Sequence, residues 1–224
     1  RNLRRVPAGV ELAHAAMTEP AAVALHALRR TGLQLVGETV AVFGAGPIGT
    51  LVAQWARILG AEQTLLFDVV EHRLSRARQM GMAHAINSSA TDPVEAVRRL
   101  TDGRGAGICV EAAGVPQTVV QACCAFRAGG TLVLLGNPSA DVELQREVVS
   151  GLLRKEANVI GVWNSTFLVN GSGDDWETAL GAMANGRLQM EPLISHRISL
   201  EEGVETLRSM AERRGTFDKV LIGG

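Results

Sequence analysis

Short apolar runs alternate along this chain with stretches whose apolar residues recur every three or four positions. The runs are TVAVF (39–43), QTLLFD (63–68), AHAIN (83–87), GICVE (107–111), TLVLLG (131–136) and NVIGVW (158–163). Each is bounded by glycine or polar residues, and most are rich in β-branched or aromatic side chains, as strands are. Between them lie amphipathic patterns that predict helices: PIGTLVAQWARILG (47–60), EHRLSRARQMG (71–81), DPVEAVRRLTDG (92–103), VPQTVVQACCAFRAGG (115–130) and REVVSGLLRKE (146–156). Pro47 near a helix start and Gly60 at its end follow the usual helix asymmetry. Asp92 followed by Pro93 is a cap and first helical residue. Strict strand–helix alternation requires crossover connections, hence a parallel sheet with helices on both faces. The strands read as continuous apolar runs, which suits burial on both sides. The expected fold is α/β: a doubly wound, six-stranded parallel Rossmann sheet.

The flanks differ. TEPAAVALHALRRTG (18–32) predicts a helix with Thr18 as its cap, and NSTFLVNGSGDD (164–175) reads as a loop. Beyond it come a helix (176–186), an extended EPLISHRIS (191–199), a helix (200–213) and a last strand in FDKVLIGG (217–224).

Composition narrows the functional classes. The 224 residues are 46% hydrophobic, which is ample for a core and excludes a disordered chain. A net charge of -1 gives no electrostatic case for nucleic acid or an anionic membrane. Aromatic residues are 4% and tyrosine is absent, which further weakens a base-stacking surface. No run reaches the roughly 18 apolar residues of a membrane span. Cys109, Cys123 and Cys124 show no C-x-x-C spacing, so a reducing, cytoplasmic setting is expected. The first residue is Arg1, without a methionine or signal peptide, as expected for part of something longer.

The chemistry concentrates between the first two strands. Gly44, Gly46 and Gly49 form G-x-G-x-x-G after a strand and at the start of a helix, followed by Pro47 and Ile48 within it. In that context Gly44 permits a tight turn, Gly46 lets a pyrophosphate approach the backbone, and Gly49 allows close helix–strand packing. Unpaired N–H groups and the dipole at the helix start favour the phosphates. Asp68 ends the second strand, 19 positions after Gly49. Its carboxylate can accept both hydroxyls of an adenosine ribose and would repel a 2′-phosphate, which argues for NAD over NADP. It can equally act as the cap of the following helix. Arg73, one turn on, either reaches the ribose or is a solvated surface residue.

These segments together resemble zinc-dependent medium-chain alcohol and polyol dehydrogenases. The likeness runs through TEPAAVALHALRRTGLQLVGETVAVFGAGPIGTLVAQWARILGA, DVVEHRLSRARQMGMAHAIN, VEAAGVPQTVVQACCAFRAGGTLVLLGNP and PLISHRISLEEGVETL. LLRKEANVIGVWNS and DDWETAL look most like galactitol-1-phosphate 5-dehydrogenases, with sorbitol dehydrogenases next. Sorbitol dehydrogenases usually carry an Arg-Tyr pair where this chain has Asn164-Ser165.

The resemblance implies further roles. Gly114, Leu135, Gly136 and Asn137 would line the nicotinamide half of the cofactor. Val162, Trp163 and Asn164 would hold its carboxamide, with Trp163 otherwise a core or interface aromatic. Lys219 would stand near the pyrophosphate, or be a surface lysine. Arg197 and His196 would belong to a domain junction. A dimer or tetramer through the cofactor domain, near DVELQ (141–145), is implied as well, as is a small-molecule substrate.

The family's zinc ligands, a cysteine and a His-Glu pair, have no match here. None of His14, His26, His72, His84 and His196 precedes a glutamate. Glu19 matches a position that can approach the zinc; otherwise it is a helix-start glutamate favoured by the dipole. The implied organisation is a remnant of a catalytic domain at 1–17, an NAD-binding domain at 18–166 and a returning segment at 167–224. The chain is thus expected to be the cofactor-binding part of an oxidoreductase moving hydride between NAD and a polyol or polyol phosphate, assisted by zinc in the full-length protein. A sorbitol-, threonine- or simple alcohol-type dehydrogenase and a stand-alone NAD-binding or redox-sensing module are the alternatives.

Overall fold

The computed structural model describes residues 3–168 and 173–223. Its centre is a six-stranded parallel sheet of β1 (Thr39–Phe43), β2 (Gln63–Asp68), β3 (His84–Asn87), β4 (Ala106–Glu111), β5 (Phe126–Leu134) and β6 (Asn158–Gly161). The strand order is β3-β2-β1-β4-β5-β6. This is the Rossmann order, and its direction reverses between β1 and β4, where such sheets open a crevice at their carboxyl ends. The central strands β1 and β4 are buried at every position. That explains their unbroken apolar reading: both faces are covered.

One apolar cluster packs α2 (Thr18–Arg29), α3 (Pro47–Ile58) and α4 (Glu71–Gln79) on one face of the sheet, joined by α8 (Asp175–Ala184). The other covers the opposite face with α5 (Pro93–Leu100) and α6 (Pro116–Ala125), against which α7 (Arg146–Arg154) leans. Trp55 is the largest fully buried side chain, and its indole N–H donates to the Ala21 carbonyl at 2.9 Å. That bond satisfies the polar edge of a residue whose bulk fixes α3 on α2.

Two expectations need correction. Thr18 does not cap α2. Met17 occupies that position, and the Thr18 hydroxyl instead donates to the Ala15 carbonyl at 2.6 Å. The helix predicted over 115–130 ends at Ala125, and Phe126 begins β5. Ala106 pairs with Phe126 and Ile108 with Thr131, so the Arg127–Gly130 stretch bulges out of the ladder. The glycine pair serves that bulge, and strand pairing overrides the helical pattern.

The remaining elements are less embedded. A short α1 (Leu12–Ala15) precedes α2, and after a 3-10 turn at Glu191–Leu193, β7 (Ile194–Ile198) and β8 (Lys219–Ile222) form a separate two-stranded parallel sheet. Between them α9 (Gly203–Ala211) buries only Gly203. The central part of the loop expected at 164–175 lies outside the described residues. Among the described residues no helix is long and apolar enough to cross a membrane.

Candidate dinucleotide-binding site

The glycine turn is built by close approach. Gly44 adopts φ +108°, and a Cβ there would meet the Ala113 backbone nitrogen at 2.9 Å. A Cβ on Gly49 would fall 1.8 Å from the Gly44 carbonyl oxygen, so α3 sits directly on the turn. Gly46 differs from both. Its backbone is extended at φ -63°, ψ 178°, and a Cβ would meet nothing within 4 Å. The space over Gly46 is open, and it lies at the N-cap of a helix whose first residue is Pro47. Ile48 packs against the core and Gly49 is buried, so both position the turn from within α3.

Asp68 faces this turn. Its Oδ2 accepts from the Ala45 backbone N–H at 2.7 Å, and its Oδ1 from that of Val70 at 2.8 Å. Ionised carboxylate oxygens each have two lone-pair sites, so each keeps one for a further donor. Two neighbouring hydroxyls match that capacity. The capping role foreseen as an alternative is also met in part, since Val70 is the N-cap of α4 and is held by Asp68. Arg73 Nη1 lies 3.7 Å from Asp68 Oδ2.

Gly44, Gly46, Asp68 and Arg73 line one cavity of about 670 Å³, closed on its far side by Thr118 and Gln121 of α6. That volume suits a small-molecule or cofactor site, which typically spans about 300–1,000 Å³. Leu135, Gly136, Asn137, Val162 and Trp163 line a second cavity of about 530 Å³ at the ends of β5 and β6. Gly114 links the two regions: a Cβ on it would lie 2.3 Å from the Asn137 carbonyl oxygen, and its own carbonyl accepts from Ser139 N–H at 2.9 Å. Val162 is buried, with its N–H given to the Leu134 carbonyl at 2.9 Å. Trp163 is 80% exposed and so is not a core aromatic. Asn164 is exposed, and its side chain accepts from Ser165 N–H at 2.8 Å.

Four further residues of the sequence reading, Lys219, Arg197, His196 and Glu19, lie outside both cavities. Lys219 opens β8 and lines neither cavity. Arg197 and His196 lie on β7; Arg197 forms a two-pronged ion pair with Glu191, and His196 bonds Ser195 at 2.9 Å. Glu19 is exposed at the start of α2. Among the described residues the one group of three potential metal ligands is Glu11, His14 and Glu191, which excludes Glu19. Arg197 and His14 already occupy the Glu191 carboxylate and hold its pKa down at about 2. Among the described residues Glu19 therefore stands apart from the other potential metal ligands.

Two residues that no local sequence pattern assigns to the site brace it from behind. Glu111, fully buried at the end of β4, accepts through Oε1 from Ala113 N–H, Gly114 N–H and the Thr118 hydroxyl at 2.9, 2.9 and 2.7 Å. It shapes the turn that walls the first cavity. A charged residue closing the apolar run GICVE was a visible signal. The second is Asp218, just before β8, which bonds Arg73 at 2.9 Å, His72 at 3.3 Å, and Arg76. Its partners lie some 140 residues away, and no local pattern marks it.

A Rossmann sheet with a bared glycine turn facing a strand-end carboxylate defines a dinucleotide-binding α/β protein. Residues 47–185 match the family model described as zinc-binding dehydrogenase, and the chain belongs to that family. It is 30% identical over 228 residues to sorbitol dehydrogenase 1 of Saccharomyces cerevisiae, covering 99% of this chain and 61% of that protein. The structure of galactitol-1-phosphate dehydrogenase from Escherichia coli superposes with a TM-score of 0.87 at 33% identity, covering 97% of this chain and 62% of the other. A zinc-binding dehydrogenase from Sinorhizobium meliloti, bound to NADP, superposes with a TM-score of 0.83 at 29% identity, covering 98% and 61%. The chain thus spans about three fifths of the length of these relatives.

Proposed function

We propose that this chain binds NAD and is the cofactor-binding part of an oxidoreductase that passes hydride between NAD and a polyol or polyol phosphate. The observation that carries this reading is the pairing of open space over Gly46 with an Asp68 carboxylate that keeps free acceptor capacity at the same turn. The pyrophosphate lies over Gly46 against the start of α3, and the adenosine ribose donates its hydroxyls to Asp68. Leu135, Gly136, Asn137, Val162, Trp163 and Asn164 receive the nicotinamide, and Gly114 spaces the two halves. Lys219, at the start of β8, supplies a cation toward the pyrophosphate in this reading. The substrate class rests on the likeness to sorbitol and galactitol-1-phosphate dehydrogenases. A zinc ion would supply Lewis-acid polarisation of the substrate hydroxyl, with Glu19 as at most one carboxylate near it.

In this reading, residues 18–166 are the cofactor domain, 1–17 and 167–224 pack with the part that the longer relatives have in addition, and cofactor domains pair near DVELQ (141–145), beside the β6 edge.

Calorimetric titration with NAD and NADP tests the central claim. NAD is expected to bind in a one-to-one ratio and at least about tenfold more tightly than NADP, roughly 1.4 kcal/mol. Gly46→Val is expected to abolish binding while leaving the melting temperature unchanged, because its Cβ enters empty space and its backbone is already extended. Comparable affinities for the two cofactors defeat the role of Asp68; undiminished binding by Gly46→Val defeats the site.

A further inference from the structure

At the ribose corner Arg73 lines the cavity and Arg76 stands directly behind the glycine turn, more positive charge than Asp68 alone would neutralise. Arg73 and Arg76 project from the first turns of α4, directly after the strand that ends in Asp68. Arg76 Nη2 donates to the Ala45 carbonyl of the glycine turn at 3.2 Å. Arg73 Nη1 stands 3.7 Å from Asp68. Two guanidinium groups in such a place form a ready acceptor for an added phosphate, because they offer charge and forked donors together. Asp218 prevents this. Its carboxylate, 4% exposed, accepts from Arg73 Nε at 2.9 Å and from Arg76 Nη1. It is itself held in place, since its backbone N–H donates to Ser195 Oγ at 3.0 Å. The two carboxylates and two guanidinium groups sum to no net charge, and each arginine gives one donor to Asp218.

We propose that Asp218 determines the phosphate selectivity of the ribose subsite: by occupying Arg73 and Arg76 it denies them to a 2′-phosphate. The inference rests on the dinucleotide reading of the Gly46–Asp68 site. Asp68 repels the extra phosphate directly, whereas Asp218 acts through the two arginines and is a positioning residue. NAD carries no anionic group at that corner, so its affinity depends little on Asp218.

The test is calorimetry with NAD and NADP on the wild-type chain, Asp218→Asn, Asp218→Asn/Arg73→Gln and Arg73→Gln. Asparagine keeps the shape of Asp218 and removes its charge. Asp218→Asn is expected to raise the affinity for NADP relative to NAD by at least about tenfold, and the added Arg73→Gln to cancel most of that gain. An unchanged ratio in a folded Asp218→Asn overturns the proposal, as does an equal loss of both affinities, which a merely structural role would give. Arg73→Gln with Asp218 intact keeps the interpretation open should Asp218→Asn fail to fold. It is expected to leave the NADP-to-NAD ratio within about threefold of wild type, whereas a tenfold fall would mean that Arg73 already serves the phosphate and would overturn the proposal. Failure of the wild-type chain to bind either cofactor sinks the underlying site reading instead, and is distinguishable because no ratio then exists.

Discussion

At the scale of single residues, the three glycines of one motif do three different things, and only the structure separates them. Gly49 is needed for packing: the Gly44 carbonyl occupies the place where its Cβ would be. Gly49→Ala is therefore expected to lower stability by about 1–3 kcal/mol or more, as overpacking does, read as a fall in the urea midpoint. Gly46→Val should leave that midpoint alone and remove binding. The sequence order of strand, glycines and helix was enough to locate this turn and to single out Asp68, because each signal is local. Glu111 and Asp218 were not found for opposite reasons. Glu111 closes a visible apolar run, but its role lies in three donors folded back onto it. Asp218 acquires its partners only when β8 comes to rest beside α4, and no periodicity along the chain encodes that approach. Lys219, which the resemblance places near the pyrophosphate, opens β8 and lines neither cavity, while Asp218 before it meets α4.

At the scale of elements, legibility tracked burial and capping. Asp92 accepts from Val94 and Glu95 N–H at 2.8 and 3.0 Å, the cap that its spacing from Pro93 announced. The buried strands β1, β2 and β4 match their apolar runs closely, whereas α6 stops short because Phe126 is taken into the ladder beside Ala106. The edge strand β6 carries a different message. Its residues pair with β5 on one side only, and Val159 is exposed, as are Val149 and Leu153 on α7, which buries none of its residues. An unpaired, apolar edge invites pairing with another chain unless something covers it. A second copy related by a two-fold axis would satisfy both edges at once. Sedimentation velocity is expected to give twice the chain mass, and Val159→Lys to give the single chain mass with an unchanged circular dichroism spectrum. A monomeric wild type at micromolar concentration refutes the paired edge.

At the scale of the whole molecule, the apolar core on one face of the sheet extends into the returning segment through Ala179, Ala182, Leu188, Met190 and Leu193, with Ile194 and Leu221 packed against it, whereas α9 stays outside. Leu200, Val204 and Leu207 around α9 are exposed, so burial contributes little to holding that region. Ionic ties add to that packing: Asp218 to α4, and Glu191 to both Arg197 on β7 and His14 on α1. The second tie joins residues 177 positions apart, closing the beginning of the chain onto its last third. Hydrogen bonds from Arg197 and then His14 stabilise the ionised Glu191 and lower its pKa from 4.5 to about 2. A carboxylate with a depressed folded-state pKa contributes stability that is fully present above the unfolded value and is lost as pH falls through the folded one. The window is therefore pH 4.5 down to about 2. Because Glu191 is solvent-exposed, salt screens the attraction and the effect shrinks with ionic strength. Limited proteolysis at low salt measures it. Cleavage within 190–223 is expected to accelerate in the wild-type chain as pH falls through that window. Glu191→Gln should be cut faster than wild type at pH 6 and should change less on acidification. Parallel acid profiles for the two proteins would show that Glu191 does not fasten this end of the chain, and that apolar packing of β7 and β8 on the core holds it.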